Sequence, residues 1–382
     1  MAKGSESAII ANITKYNSKV HSSILEKNKD FTSKMTQLNI DSFKQTDVLT
    51  KKNPVFSIEQ PTLFNRRIAI INPFTNKFND IYASYFLKHN QVKIIIPKTK
   101  EELDSVADWA EIIWSTWCNE PLVYLSQKKR SALLISHIRS YEILTPSLMQ
   151  SINWDNIDGA IFVADHIREN ANEMWNNQLS KIPQTTICNC VELDRYPFYQ
   201  NGIGYNIVYI GYINHKKGIG LLLQCIDTAV RLNTKFIFHI AGSFQEVRFE
   251  VYMKHLIKEM GLDKNVIFHG WIKDVPKFLA NMNYVISTSP WEGCPNNIIE
   301  AMACGVKPLI HNWQGAKKLF PAKLVFNNLS EYLSILHNDC SGTSGNHYDS
   351  DSYRRWVERY YNASIQVATI DNFIAKLWQN RL

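Results

Sequence analysis

The sequence predicts an α/β protein built from two doubly wound domains. Short apolar runs alternate with helical segments in two series, one starting at Arg66 and the other at Asn206. Strands separated by helices form parallel sheets with right-handed crossovers, so each series predicts one sheet. A length of 382 residues with 45% hydrophobic composition supplies apolar side chains for two cores. We therefore expect a first domain over residues 61–200, a second over 201–365 and a C-terminal helix over 366–382 that crosses back to the first domain.

Residues 1–60 differ from the rest of the chain because they are rich in Lys, Ser, Asn and Thr. Their apolar residues recur at helical spacing and predict an amphipathic N-terminal helical extension. These apolar residues are Ile9, Ile13, Tyr16, Val20, Ile24 and Phe31. Such a helix would serve oligomerisation or contact a membrane surface. A helix packed on the body of the protein and a disordered linker are equally open interpretations.

The first series predicts a sheet whose rim carries polar residues. Its predicted strands are residues 68–72, 92–97, 111–115, 132–136, 160–164 and 185–188, and its predicted helices are residues 80–89 and 101–109. Ligands of doubly wound sheets bind beyond the carboxyl ends of the strands. Asn76 follows the first of these strands, and His137 and Arg139 follow the fourth. We therefore expect all three on the rim of a cleft.

The second series predicts a phosphate site between its first strand and its first helix. Its predicted strands are residues 207–211, 236–241, 266–268, 284–287 and 307–311, and its predicted helices are residues 219–232 and 249–260. The turn 211–218 begins and ends with glycine and contains Lys217. Glycine lets the backbone approach a phosphate closely, and lysine supplies positive charge. The alternative is a lysine that is merely solvated before a helix.

Residues 284–316 predict a strand, a loop, a helix starting at Pro295 and a further strand. The free N–H groups of the first helical turn favour an anion, and the helix macrodipole adds to this preference. Glu292 in the loop and Glu300 in the helix would accept hydrogen bonds from hydroxyl groups beside that anion. A nucleotide sugar has this chemistry. The alternative is that both glutamates are solvated charges of a helix start and a helix face.

Residues 292–305 read EGCPNNIIEAMACG and resemble the E-x7-E signature of the GT-B retaining glycosyltransferases of family 4. The resemblance implies the GT-B fold, in which two Rossmann-like domains face a central cleft. It also implies transfer of a sugar from a nucleotide sugar to a hydroxyl group, with retention at the anomeric carbon. The expected donor is UDP- or GDP-linked, and neither a metal ion nor a cofactor is expected.

The resemblance assigns site residues in the second domain. The turn 211–218 is similar to the family pattern G-R-L-x-x-x-K-G, so Lys217 would contact the donor diphosphate as a catalytic residue. Tyr212 stands at the position of the arginine of that pattern, and Lys216, Arg139 and Arg248 are open alternatives for its replacement. Glu292, also assigned to catalysis, would hold the donor sugar, and Glu300 would hold the ribose. The full set of predicted donor-binding residues is Gly211, Tyr212, Gly242, Ser243, Trp271, Ile272, Gly293, Cys294, Pro295, Asn296, Asn297, Ile298 and Glu300.

In the first domain the resemblance is weaker. Members similar to this chain carry Arg-x-His before a Tyr-Glu pair, whereas here the order is His137-Ile-Arg139. We assign His137 to catalysis, and Arg139 and Asn76 to the acceptor or phosphate side of the cleft. A pair that only stabilises the rim is the alternative.

Charge and motif content exclude several other classes. The net charge is +7, but no dense block of Lys or Arg and no nucleic-acid motif occurs, so we favour weak attachment to a membrane surface over nucleic-acid binding. The seven cysteines lack zinc spacing and indicate a reduced, cytoplasmic protein, at the inner face of the membrane if it is attached there. Asp349-Ser-Asp351 spells a metal motif, but its position before a predicted helix favours capping.

These observations predict a glycosyltransferase that acts on a glycan or a lipid-linked acceptor in the synthesis of bacterial surface polysaccharide, such as lipopolysaccharide or capsule. Two other classes stay open. One is a catalytically degenerate GT-B scaffold, which the tyrosine at position 212 suggests. The other is a sugar-nucleotide epimerase of the same architecture, which would convert a donor without an acceptor.

Overall fold

Two six-stranded parallel sheets organise the protein, as its computed structural model shows. The structure describes residues 61–72, 77–341 and 348–381. The predicted extension over residues 1–60 and the predicted site residue Asn76 lie outside the described residues.

The first sheet has the strand order β2-β1-β3-β4-β5-β6, with every neighbouring pair parallel. Its strands are β1 (Arg67–Ile71), β2 (Gln91–Ile95), β3 (Ile112–Ser115), β4 (Leu133–Ile138), β5 (Gly159–Phe162) and β6 (Gln184–Thr186). The helices along this part of the chain are α1 (Lys77–Phe86), α2 (Lys100–Trp109), α3 (Glu120–Ser126), α4 (Pro146–Ser151), α5 (Asp165–Met174) and α6 (Asn176–Leu179). The central strands β3, β4 and β5 are buried along their whole length, as is usual when helices cover both faces of a sheet.

The second sheet has the strand order β12-β11-β10-β7-β8-β9 and is also parallel throughout. Its strands are β7 (Asn206–Ile210), β8 (Ile237–Ala241), β9 (Val266–Gly270), β10 (Tyr284–Ser287), β11 (Lys307–His311) and β12 (Val325–Phe326). The helices that follow β7 along the chain are α7 (Ile219–Leu232), α8 (Val247–Glu259), α9 (Val275–Leu279), α10 (Asn296–Ala303), α11 (Ala316–Leu319), α12 (Leu329–Ser341), α13 (Ser350–Tyr360) and α14 (Ala363–Gln379).

The sequence predicted the strands β1 to β11 and the helices α1, α2, α7, α8 and α10 with their type correct and most of their ends shifted by a few residues. The predicted strands 284–287 and 307–311 and the predicted helix 219–232 have the observed bounds. Pro295, predicted as the first residue of a helix, instead precedes it as the N-cap of α10. Its extended ψ of 106° explains this difference, because the first helical dihedrals begin at Asn296.

The C-terminal helix α14 completes the core of the first sheet, although it follows the second sheet in the chain. Its side chains Val367, Ile370 and Ile374 belong to the same buried cluster as Ile68 and Ile70 of β1. The buried carboxylate of Asp371 accepts hydrogen bonds from the backbone N–H of Thr62, at 2.6 Å, and from that of Leu63, at 3.3 Å. The last helix of the chain is therefore fixed to the first described residues by both packing and hydrogen bonds.

A buried ion pair attaches α12 to the second sheet. Nζ of Lys307 lies 2.6 Å and 2.7 Å from the two carboxylate oxygens of Asp339, and both side chains are buried. Burial lowers the pKa of the Lys307 ammonium group, and the neighbouring Asp339 carboxylate acts in the opposite direction. The charged pair is therefore maintained in the interior by the short contact between its two members.

We predict that removing one member of this pair destabilises the protein far more than removing both. Asp339→Leu leaves an unpaired buried ammonium group and should cost about 3–5 kcal/mol, whereas Asp339→Leu with Lys307→Met should cost much less. Urea denaturation followed by circular dichroism measures both effects. Glu250→Gln, which breaks the exposed pair with Lys254, is the control and should change stability by less than about 1 kcal/mol. Equal losses in the single and double variants would contradict this account.

Candidate active site

The first turn of α10 lies at the carboxyl end of the second sheet. Strand β10 ends at Ser287, a loop follows, and α10 begins at Asn296. The side chain of Asn297 donates a hydrogen bond to the carbonyl of Ile210, the last residue of β7, at 2.7 Å. This bond fixes the helix start beside the central strand. The N–H groups of the first turn have no acceptor inside the helix, so the helix start favours an anionic ligand.

Lys217 and Glu292, which sequence analysis assigned to catalysis, contact each other directly. Nζ of Lys217 lies 2.5 Å from Oε1 of Glu292, and both side chains are partly buried. The hydroxyl group of Ser289 donates to the same carboxylate oxygen at 2.7 Å, and the hydroxyl group of Thr288 donates to the Lys217 carbonyl at 2.9 Å. The turn before α7 and the loop before α10 are thus joined by both backbone and side-chain contacts. A cation and a carboxylate stand side by side in the same site.

Glycine is required where the turns of the second sheet touch each other. Gly218 has a φ of +63°, and a Cβ atom there would lie 2.0 Å from the carbonyl oxygen of Thr288. Gly242 has a φ of +153°, and a Cβ atom there would lie 1.8 Å from the carbonyl oxygen of Gly211. Neither contact leaves room for a side chain. The predicted residues Gly211, Gly242 and neighbouring Ser243 therefore lie in turns that pack backbone against backbone.

Two exposed aromatic rings stand beside these turns. Tyr212 and Trp271 are 45% and 60% exposed, and their ring centroids are 5.3 Å apart at an angle of 34°. Ile272, the other predicted residue of this turn, is partly buried. Exposed aromatic faces of this kind stack with planar ligand rings. Since a tyrosine replaces the arginine of the family pattern, this part of the site has an aromatic surface where a cation was expected.

Glu300 lies on α10 and is 7% exposed. The pKa of the Tyr196 hydroxyl group is raised by burial and, in second place, by the Glu300 carboxylate, to which it is hydrogen-bonded. The sequence did not indicate this tyrosine. A ligand hydroxyl group at Glu300 would therefore share the carboxylate with Tyr196.

The loop before α10 also contacts the first domain. The carbonyl oxygen of Glu292 accepts a hydrogen bond from Nε2 of His166 at 2.8 Å, and that of Cys294 accepts one from the side-chain amide of Asn189 at 2.9 Å. A Cβ atom on Gly293 would lie 3.0 Å from Val163 and 3.1 Å from Ser140. Residues 288–295, which include predicted donor-binding residues and are called the donor loop below, therefore contact both domains. Sequence reasoning missed these first-domain partners, because no local pattern marks residues that meet across a domain interface.

His166 is held in the neutral form by its surroundings. Burial lowers the pKa of its imidazole, and the hydrogen bond to the Glu292 carbonyl partly offsets this effect. Its ring packs between those of Trp291 and Trp313, with centroid distances of 5.9 Å and 5.3 Å. A Cβ atom on Gly315, which has a φ of +98°, would lie 2.2 Å from its Nδ1. His166 thus fills a close-fitting space and orients the donor loop.

The predicted position of His137 on the rim of the cleft is wrong. Strand β4 continues to Ile138, two residues beyond its predicted end, so His137 lies inside the sheet and is only 1% exposed. Its ring stacks on Trp114 with a centroid distance of 5.9 Å. Burial, and then the charge of Arg139, lower its pKa well below the usual value. Neither ring nitrogen has a hydrogen-bond partner in the described part of the chain.

The described residues contain no group of three or more His, Cys, Asp or Glu side chains arranged to hold a metal ion. Asp349 caps α13, since its carboxylate accepts a hydrogen bond from the N–H of Ser352 at 3.0 Å. The capping interpretation of Asp349-Ser-Asp351 is thereby confirmed. None of the described helices has both the length and the apolar character to cross a membrane.

Sequence comparison finds similar proteins for part of the chain. Residues 201–323 match the family described as glycosyl transferases group 1. The chain is 28% identical over 132 residues to the poly(ribitol-phosphate) alpha-N-acetylglucosaminyltransferase of Staphylococcus aureus, covering 34% of this chain and 25% of that protein. It is 29% identical over 83 residues to the UDP-Gal:alpha-D-GlcNAc-diphosphoundecaprenol alpha-1,3-galactosyltransferase of Escherichia coli, covering 20% of this chain and 21% of that protein. These matches span about a quarter of the length of the curated relatives.

Structural comparison extends over both sheets. Sucrose-phosphate synthase from Thermosynechococcus elongatus aligns with a TM-score of 0.67 and 12% identity over 83% of this chain and 100% of that chain. The Anabaena protein HepE in complex with UDP and glucose aligns with a TM-score of 0.66 and 14% identity over 82% of this chain and 100% of that chain. At these identities the likeness concerns the fold alone. The comparisons therefore show a sequence match to the glycosyl transferases group 1 over residues 201–323 and the GT-B fold for the chain.

Proposed function

We propose that this protein is a retaining, metal-independent glycosyltransferase that moves a sugar from a nucleotide sugar to a hydroxyl group of its acceptor. The observation that carries the proposal is the meeting of Lys217, Glu292 and the start of α10 at one edge of the second sheet. All three lie within the residues that match the glycosyl transferases group 1. A phosphate would bind the cation and the helix start, and a sugar hydroxyl would bind the carboxylate.

In the reaction proposed here, bond cleavage places negative charge on the departing diphosphate. Lys217 and the N–H groups of Asn296, Asn297 and Ile298 would stabilise that charge, which is a preorganised electrostatic contribution. The Lys217 ammonium group is paired with Glu292 at 2.5 Å. Donor binding would transfer the ammonium group to phosphate and leave the carboxylate free to accept hydrogen bonds from the sugar. The leaving phosphate would then take the proton of the acceptor hydroxyl on the same face of the sugar.

A UDP- or GDP-linked sugar is the donor we propose, without a further cofactor. HepE was crystallised with UDP and glucose, and the E. coli relative is named for UDP-Gal. Both names support a uridine nucleotide. The ring faces of Tyr212 and Trp271 would offer the base a stacking surface beside the turn that follows β9.

A glycan or lipid-linked acceptor, and a place in bacterial surface polysaccharide synthesis, are supported by the names of the relatives. The S. aureus relative acts on poly(ribitol-phosphate), and the E. coli relative on a diphosphoundecaprenol-linked sugar. The net charge of +7 would attract the chain to an anionic membrane surface, so we place it in the cytoplasm, at the inner face of the membrane. We further propose that residues 1–60 serve this attachment or oligomerisation.

We predict that a uridine or guanosine nucleotide sugar raises the melting temperature of the protein, because a ligand at 100 times its Kd adds about 2.7 kcal/mol of stability. A thermal-shift series with UDP-, GDP-, ADP- and CMP-sugars measures the effect. Absence of a shift with all four classes would contradict the proposed donor. Product analysis with the donor alone separates transfer from epimerisation. Donor binding without turnover on any acceptor would indicate a binding scaffold.

We predict that Lys217→Ala and Glu292→Gln each lower turnover by ~10²-fold, because each removes one charged contact with the substrate. The two side chains touch, so the double variant should lose less than the product of the single losses. Steady-state kinetics with saturating donor test this expectation. Lys264→Ala, which removes an exposed lysine elsewhere on the same domain, is the control and should leave turnover unchanged. Wild-type rates in both single variants would refute the site assignment.

We predict that Gly293→Val lowers turnover while the protein stays folded. A side chain there enters the space of Val163 and Ser140 and would separate the donor loop from the first domain. Misplacement of reacting groups by about 1 Å costs on the order of 10²-fold in rate. Gly202→Val is the matched control, because no heavy atom lies within 4 Å of the position of its Cβ atom. Equal turnover in the two variants would show that the contact with the first domain does not matter for catalysis.

A further inference from the structure

We propose that Arg139 of the first domain binds a phosphate of the donor, in place of the arginine that Tyr212 replaces in the second domain. This inference rests on the proposed function and deepens it. It assigns the second cation of the diphosphate site to the opposite side of the domain interface.

Arg139 is a buried cation with neutral hydrogen-bond partners. Its side chain follows β4 and is 7% exposed. Nε donates to the carbonyl of Thr116 at 3.2 Å, and Nη1 donates to the side-chain oxygen of Asn189. Within the described ranges, no carboxylate forms an ion pair with it, in contrast to Arg130, which pairs with Asp158 at 3.3 Å. Burying a charge without a partner of opposite charge is costly, so an anionic ligand is its expected partner.

The surroundings of the guanidinium group are aromatic on two sides. Its central carbon lies 5.2 Å from the ring centroid of Trp117 and 5.7 Å from that of Phe78. Burial raises the pKa of the Tyr82 hydroxyl group, and the nearby charge of Arg139 acts in the opposite direction. Rings hold a planar guanidinium group in one orientation, so its N–H groups point in fixed directions. The N–H groups that do not donate to Thr116 or Asn189 can donate to phosphate oxygens.

Glu142 is an acidic residue whose pKa is influenced by the charge of Arg139, but the two side chains form no ion pair in the described part of the chain. Its carboxyl group is fully buried. Burial raises its pKa to about 7, whereas backbone N–H groups and the charge of Arg139 act in the opposite direction. Near neutral pH this carboxyl group is therefore charged only in part of the molecules. The guanidinium group keeps a net capacity for an anion.

Two hydrogen bonds connect Arg139 to the donor loop. Asn189 accepts from Nη1 of Arg139 and donates its amide to the carbonyl of Cys294 at 2.9 Å. Cys294 is separated from the first residue of α10 only by Pro295. Arg139 thus approaches the anion-binding helix start from the first domain, while Lys217 approaches it from the second. This connection favours a phosphate of the donor over a phosphate of the acceptor.

A phosphate bound in this way would contact both domains at once. Lys217 and α10 belong to the second domain, and Arg139 belongs to the first. A donor bound there would therefore be held by groups from both domains, which helps to fix its orientation.

Isothermal titration calorimetry with UDP, inorganic pyrophosphate and uridine tests the assignment on the full chain. Arg139→Gln should weaken UDP and pyrophosphate binding by ~10- to 100-fold, as expected for the loss of a hydrogen bond to a charged group, and should leave uridine binding unchanged. Arg139→Lys keeps the positive charge but lacks the planar guanidinium group. Its affinities for UDP and pyrophosphate should therefore lie between those of Arg139→Gln and the wild type. Arg130→Gln is the matched control, since it removes a buried arginine that has a carboxylate partner, and should leave all three affinities unchanged.

Three outcomes would overturn the proposal. Unchanged UDP affinity in Arg139→Gln together with a lower melting temperature would mean that the arginine only holds the fold. Unchanged UDP affinity with a raised KM for a phosphate-bearing acceptor would assign the arginine to the acceptor. Equal weakening of UDP and uridine would indicate a general disturbance of the site. Binding of pyrophosphate but of no nucleotide by the wild-type chain would contradict the proposed glycosyltransferase function and would still support a phosphate site.

Discussion

Backbone contacts between neighbouring strand–helix turns determine the geometry of the candidate site. Gly218 packs against the carbonyl of Thr288, and Gly242 packs against the carbonyl of Gly211, with no space for a side chain at either contact. These contacts hold the turn that carries Lys217 against the loop that carries Glu292. The 2.5 Å ion pair between these two residues follows from that arrangement. A parallel sheet supplies the framework, since it brings the carboxyl ends of all its strands to one edge.

The donor loop lies in the second domain along the chain, but its residues contact both domains. It follows a strand of the second sheet, yet two of its carbonyl groups accept hydrogen bonds from His166 and Asn189 of the first domain. A rearrangement of the interface between the two domains would therefore displace the Glu292 carboxylate and the start of α10. This explains why a site whose charged groups lie mainly in the second domain can depend on the position of the first.

The sequence predicted the fold class and the second-domain elements because their signals are local. Apolar runs, helical periodicity and glycine positions are read within a few residues, and the stretch 292–305 is distinctive by itself. The surroundings of His137 and Arg139 depend on contacts between distant segments. A difference of two residues in the end of β4 moved His137 from the expected rim into the sheet. The bond between Tyr196 and Glu300 and the contacts of Asn189 have no local signal, so they became visible only in the folded chain.

Because α14 packs on the first sheet, it affects which of the two domains completes its core first during synthesis. The apolar face formed by Ile68 and Ile70 is covered by Val367 and Ile370, almost three hundred residues later in the chain. The segment around Val191 also pairs with Asn362, so the two crossings between the domains run side by side. Domains generally fold as they emerge from the ribosome, N-terminal ones first. Here the N-terminal sheet cannot finish its core until the last helix has been made, so the C-terminal domain would complete its core first.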